Sequence, residues 1–181
     1  SNKHDFFLSN TERDRAKSFV SSTGDKIKIG INIEGSFPEK SIQKKELEEI
    51  CSGLYSYCRD IVIVILASPN KISNMKKMIS ELGLDFVIPS YTTETIIDAA
   101  ALVEQLDLII TPDTSIVHIA SSFDKPVVSI HENNKDSFRL WSPSSTLSKT
   151  IFAKSSYGLF GYSASDIVDA SLEMINKINK V

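Results

Sequence analysis

The sequence predicts an α/β fold built on a doubly wound parallel sheet of about six strands. Three observations carry the prediction. Short apolar runs alternate with stretches of helical periodicity along most of the 181 residues. Strands separated by helices in this way pack as right-handed β-α-β units. Residues 61–67, IVIVILA, are so uniformly apolar that both faces of their strand must be covered, as in the centre of a parallel sheet. Residues 106–131, LDLIITPDTSIVHIASSFDKPVVSIH, read as a buried strand, a polar turn, a short helix and a second buried strand. A helix start placed there aims backbone N–H groups and a positive helix end at the carboxyl edge of the sheet, where phosphate groups bind in Rossmann-like folds.

Each element follows from local pattern. Residues 1–10 are polar and are expected to be a mobile N-terminus, with Ser1-Asn2 a cloning remnant, so that one domain runs over 11–181. A helix is expected over 11–22 with Asn10 or Thr11 as its cap. KIKIGINIE (26–34) is a β-branched strand. In 43–58 the spacing of Leu47, Ile50, Cys51, Leu54 and Cys58 gives one apolar helix face. The 61–67 strand is followed by a helix over 70–82, ended by Gly83, and a short strand over 85–88. Thr92-Thr93-Glu94 starts a helix over 95–105.

In the 106–131 unit, Pro112 stops the first strand and Asp113 caps a helix over 114–123, which Asp124-Lys125-Pro126 ends. Residues 132–148 lack periodicity and are expected to be a loop, in which Trp141 either stacks on a ligand ring or anchors the loop by burial. A sixth strand over 150–154 and a last helix over 165–178 close the chain, with Ile167, Ala170, Ser171, Met174 and Ile178 inward.

Composition narrows the function. The apolar share of 41% supports an ordinary core. A net charge of −3 with interspersed signs shows no basic stripe for nucleic acid and no basic amphipathic helix for a membrane surface. No signal peptide or spanning run is visible. Cys51 and Cys58 lie two helical turns apart, too far for a disulfide, and read as reduced thiols of a cytoplasmic protein. No Gly-x-Gly-x-x-Gly, Gly-x-Ser-x-Gly or Asp-x-Asp occurs, which argues against a dinucleotide enzyme, a hydrolase elbow and a metal-diphosphate site.

The polar residues at strand ends and helix starts are the candidates for chemistry. After the first strand, Ser36 and Lys40 stand where a lysine can reach a diphosphate held at a neighbouring helix start. Lys40 is otherwise a solvated loop lysine beside Lys44 and Lys45. Thr114 and Ser115 offer N–H groups and hydroxyls. Asp113 is a helix cap or an acceptor for ligand hydroxyls. His118 and His131 lie near the same edge, as does Pro69-Asn70 after the central strand. Glu94 is a helix-start acid or a partner for ribose hydroxyls.

Residues 113–128, DTSIVHIASSFDKPVV, resemble the D-[TS]-G-x-x-H-x-A-x-x-x-x-x-P signature of glycosyltransferase family 9, the bacterial heptosyltransferases of the lipopolysaccharide inner core. Ser115 stands where that pattern has Gly, and Ser129–Asn133 replaces its aromatic-Gly-Pro/Asn-Thr loop. The resemblance implies the C-terminal, donor-binding half of a GT-B fold. It implies a metal-independent inverting transferase that moves heptose from ADP-heptose to the lipopolysaccharide or lipooligosaccharide core, with no cofactor beyond the donor.

It also implies a donor site made of Ser36, Lys40, Glu94, Asp113, Thr114, Ser115 and His118, with no metal ligand and no catalytic residue in this half. The catalytic base and the glycolipid acceptor site belong to an N-terminal half, so the fragment by itself is expected to be inactive. The whole protein would be cytoplasmic, peripheral to the inner face of the inner membrane, with neither a transmembrane segment nor a nucleic-acid partner. Two other readings stay open: a non-catalytic flavodoxin-like module that senses a nucleotide or phosphate, and a degenerate transferase scaffold.

Overall fold

The structure, a computed structural model, describes residues 7–178. The expected mobile segment falls partly outside them, including Ser1-Asn2. Within them, Leu8 is buried against the sheet and Ser9 starts the first helix, so the ordered domain begins earlier than residue 11.

That helix, α1 (Asn10–Ser21), is capped by Ser9 and not by Asn10 or Thr11. The Glu12 carboxylate accepts from the Ser9 N–H at 2.9 Å and from its hydroxyl. The chain then runs β1 (Ile27–Asn32), α2 (Lys44–Tyr57), β2 (Ile61–Leu66), α3 (Ile72–Leu82), β3 (Val87–Pro89) and α4 (Ile96–Gln105). It continues through β4 (Leu108–Pro112), α5 (Ser115–Ser122), β5 (Val127–His131), α6 (Lys135–Trp141), β6 (Ser148–Phe152) and α7 (Ala164–Ile178). Short 3-10 turns at Pro38–Lys40 and Pro69–Lys71 precede α2 and α3.

The six strands form one sheet in the order β3-β2-β1-β4-β5-β6, and every pair is parallel. β1 pairs with β2 from Ile27↔Ile61 to Asn32↔Leu66, and on its other side with β4 from Ile29↔Leu108. The chain therefore winds outward in one direction from β1 to β3, then returns and winds the other way. The gap between β1 and β4 is the switch point, where a crevice opens at the carboxyl edge.

Period-two alternation sorts the strand side chains onto two cores. Ile29, Ile31, Ile61, Ile63, Ile65, Leu108 and Ile110 face α2, α3 and α7. Val64, Leu66, Ile109 and Val127 face α1, α4 and α5. Gly30 lies under Leu106, the residue that ends α4: a Cβ there would stand 2.6 Å from the Leu106 side chain.

Other expectations change as well. β1 stops at Asn32, because Glu34 N–H turns back to Asn32 Oδ1 at 3.3 Å and Ile33 O accepts from Ile42 N–H at 2.9 Å. Residues 132–148, read as loop, contain α6. It is capped by Asn134 and buries none of its residues, so it has no apolar stripe to read. Trp141 at its end is 52% exposed and does not anchor the segment by burial.

Both thiols are free. Cys51 is fully buried on α2, and burial pushes its thiol up to about 12. Cys58 follows the end of α2 and is partly exposed. In the folded chain at about pH 8 a thiol reagent should modify Cys58 and leave Cys51 untouched, while both react in denaturant. Peptide mapping after labelling checks this; equal native rates would contradict the buried placement.

Candidate functional site at the sheet switch point

Asn32 ends β1 at the switch point and is buried. Its amide nitrogen lies 3.1 Å from Glu34 O, from Thr111 Oγ1 and from Thr114 Oγ1. One amide thus ties the end of β1 to the end of β4 and to the start of α5. Two N–H groups share three acceptors in this arrangement.

Thr114, not Asp113, caps α5: its hydroxyl accepts from Ile116 N–H at 3.3 Å. The cap expected at Asp113 is corrected by one residue, because Asp113 still belongs to the ladder. Its N–H donates to Ile130 O at 3.0 Å, and its carboxylate lies beside the His131 ring.

Between β1, β2, α4 and α5 lies a cavity of about 420 Å³. Leu66, Ala67, Pro69, Ile96 and Ile116 give it an apolar wall. Glu34 and Glu94 supply carboxylates, and Ser36, Thr93, Thr114 and Ser115 supply hydroxyls. Glu34 is held by Ser68, whose N–H and hydroxyl donate to its two oxygens at 3.0 and 2.7 Å. Lys71 Nζ stands 3.8 Å from the same carboxylate.

Glu94 is exposed at the rim, where its N–H donates to Asp98 Oδ2 at 3.0 Å. Asp98 and Thr95 form the capping box of α4, which fixes this wall. Tyr91 braces it from outside, donating its hydroxyl to Asp98 O at 3.2 Å; burial pushes that phenol up to about 12.

Of the expected site residues, Ser36, Glu94, Thr114 and Ser115 therefore share one cavity, and Pro69 lines it as well. Lys40, Asp113 and His118 lie at the same carboxyl edge but outside the lining. Lys40 stands directly behind the cavity wall: a Cβ on Gly35 would come within 2.0 Å of Lys40 O, so glycine alone permits this approach. Its ammonium turns away to Glu132 Oε2 at 3.0 Å. Asp113 Oδ2 lies 3.5 Å from His131 Nδ1, and the His131 ring is almost wholly buried, edge-on to Phe138. His118, one turn into α5, packs edge-on to Trp141 at 5.6 Å.

Asn32 and Glu34 are the residues that sequence reasoning passed over. The available signal was a polar side chain closing the strand IKIGIN, two positions before a carboxylate and a glycine. Among the described residues, no three His, Cys, Asp or Glu side chains are placed to hold a metal ion together. No described helix is long and apolar enough to cross a membrane.

A parallel sheet in this order, with a ligand-sized crevice at its switch point, defines a Rossmann-like domain. Residues 1–156 match the model of glycosyltransferase family 9 (heptosyltransferase), and the chain belongs to that family. Among solved structures it is similar to a family 9 glycosyltransferase from Veillonella parvula DSM 2008, with a TM-score of 0.79 and 19% identity over 94% of this chain and 53% of that one. The heptosyltransferase WaaC of E. coli, solved with ADP, aligns with a TM-score of 0.66 and 13% identity over 92% of this chain and 49% of that one.

The chain thus spans about half the length of these two proteins. It matches nearly all of a C-terminal domain of a group 1 glycosyl transferase (LpcC) from Francisella tularensis, covering 97% of this chain and 87% of that one at 15% identity and a TM-score of 0.57. No curated protein matches the chain in sequence.

Proposed function

We propose that this domain binds the nucleotide-sugar donor of a metal-independent inverting glycosyltransferase, which moves heptose from ADP-heptose to a lipopolysaccharide-type core. The observation that carries the reading is the switch-point cavity, with the start of α5 at Thr114 and Ser115 on one side and Glu94 on the other. Its volume of about 420 Å³ suits a nucleoside and its phosphates. The apolar wall of Leu66, Pro69 and Ile116 suits a base. The Glu94 carboxylate at the rim suits ribose hydroxyls, as acceptor from both.

The diphosphate would lie at the first turn of α5, where backbone N–H groups and the helix dipole favour negative charge. Ser36 and Lys40 approach from the β1 loop. Asp113 would accept from hydroxyls of the transferred sugar, and His118 would support the α5 side of the site. The N–H groups of the first turn of α5 and the Lys40 ammonium would stabilise the charge that develops on the departing diphosphate. The E. coli relative solved with ADP supports the choice of nucleotide. The acceptor site and catalytic base would belong to a second domain, and the whole protein would act at the cytoplasmic face of the inner membrane.

ADP titrated into this chain, followed by NMR, tests the reading. Binding should be weak, with a Kd of roughly 0.1–1 mM or about −4 to −5.5 kcal/mol, and should persist without Mg²⁺. Shifts should centre on Asn32, Glu94 and 114–116. A strict Mg²⁺ requirement, or shifts confined to residues away from this cavity, would count against it. Sugar transfer by the full-length protein separates an active enzyme from a binding scaffold.

A further inference from the structure

Glu132, immediately after β5, is the one acid in contact with Lys40 among the described residues, and both of its oxygens are engaged. One accepts from Lys40 Nζ at 3.0 Å; the other accepts from the Gly158 N–H. The pair is largely withdrawn from solvent, with side-chain exposures of 29% for Lys40 and 15% for Glu132. The surroundings are built. Leu159 N–H donates to Glu39 O at 2.8 Å, which docks the 155–161 loop on the turn that carries Lys40. Gly158 takes a φ of +75° and comes close to Glu39 O, so the amide that meets Glu132 is held in place.

An ammonium and a backbone N–H converging on one anion, partly shielded from water, is the arrangement that also takes a phosphate oxygen. Here an internal carboxylate fills it. We propose that Glu132 is an affinity-determining residue, an internal anion that competes with a donor phosphate for Lys40. This rests on the nucleotide-sugar reading of the cavity, in which Lys40 lies behind the Gly35 wall. The ligand class is a nucleoside diphosphate. Its phosphate must either displace Glu132 from the ammonium or share the ammonium with a carboxylate only a few ångströms away, and both weaken binding.

The test compares the chain with Glu132→Gln, which keeps the side chain's length and a carbonyl for the Gly158 N–H but removes the charge. ADP and inorganic pyrophosphate should bind the variant about tenfold more tightly, equivalent to about 1.4 kcal/mol. Adenosine, which has no phosphate, should bind both chains equally. Adding Lys40→Met to Glu132→Gln should remove the gain. An ADP affinity that is unchanged or weaker in Glu132→Gln overturns the proposal.

A second readout needs no nucleotide site: the rate of amine labelling at Lys40, relative to exposed Lys45 and read by peptide mass spectrometry. It should rise severalfold in Glu132→Gln, and an unchanged rate also overturns the proposal. If neither ADP nor adenosine binds either chain, the nucleotide reading has failed, and pyrophosphate binding with Lys40 labelling decides the Glu132 question alone. Glu132→Asn serves the same comparison should the Gln variant not fold.

Discussion

Replacing Asp113 with Asn is expected to cut sugar transfer by the full-length protein about a hundredfold, with little loss of stability. The carboxylate is 31% exposed, and its close polar neighbour is His131 Nδ1 at 3.5 Å. It does not cap α5, since Thr114 holds that place, so its loss leaves the helix start intact. In the donor reading the carboxylate accepts from sugar hydroxyls. Hydrogen bonds to a charged group are worth about 1.5 to 3 kcal/mol each. Losing the charge at two such bonds weakens transition-state binding by about 3 kcal/mol, or roughly two orders of magnitude in rate. Activity and melting temperature measured together decide the matter. Near-normal transfer by Asp113→Asn would remove Asp113 from the site.

Asn32→Ala is expected to destabilise the chain by about 2 to 4 kcal/mol and to weaken ADP binding as well. The Asn32 amide is buried and contacts Glu34 O, Thr111 Oγ1 and Thr114 Oγ1, while its carbonyl accepts from Glu34 N–H. Alanine would take the Asn32 partner from Glu34 O and Glu34 N–H and one donor from the Thr111 and Thr114 hydroxyls, which keep Pro112 O and Ile116 N–H as partners; a buried group left unsatisfied costs about 1 to 3 kcal/mol, less where a water replaces the amide. For a domain of this size the melting temperature should fall by roughly 5 to 15 °C. The functional loss follows from the same bonds, because Asn32 holds Thr114 at the start of α5 and holds the turn at Glu34 that leads to Ser36. A drop of under about 2 °C would show that water fills the place at no cost and that the strap is dispensable.

The residues that could be read from the chain are those whose placement follows from local pattern. IVIVIL has one physical solution, a strand covered on both faces, and it became β2. Pro112-Asp113-Thr114 has to end a strand and start a helix, and it does so with the cap shifted by one. Gly83 ends α3 in the left-handed conformation that favours glycine, with a φ of +64°. Where burial is absent the pattern is silent. α6 has no buried face and β6 is an exposed edge strand, so the first carries no helical period and the second begins two residues before the strand that the pattern predicts.

The sequence by itself thus determined the fold class, the parallel sheet, the strand–helix unit around Asp113 and the edge at which the candidate residues gather. Each of these is dictated by periodicity and capping within a dozen or so residues. Tertiary structure alone decided which side chains meet. Asn32 reaches Thr111 across 79 positions because β1 lies beside β4, a neighbour that strand order and not sequence order supplies. Lys40 finds Glu132 across 92 positions because β5 lies two strands from β1 and the 155–161 loop bonds to the turns that follow both. An ion pair of that span leaves no periodicity or spacing to read. It exists once the sheet is assembled, and it is what turns a loop lysine away from the cavity that its position suggests.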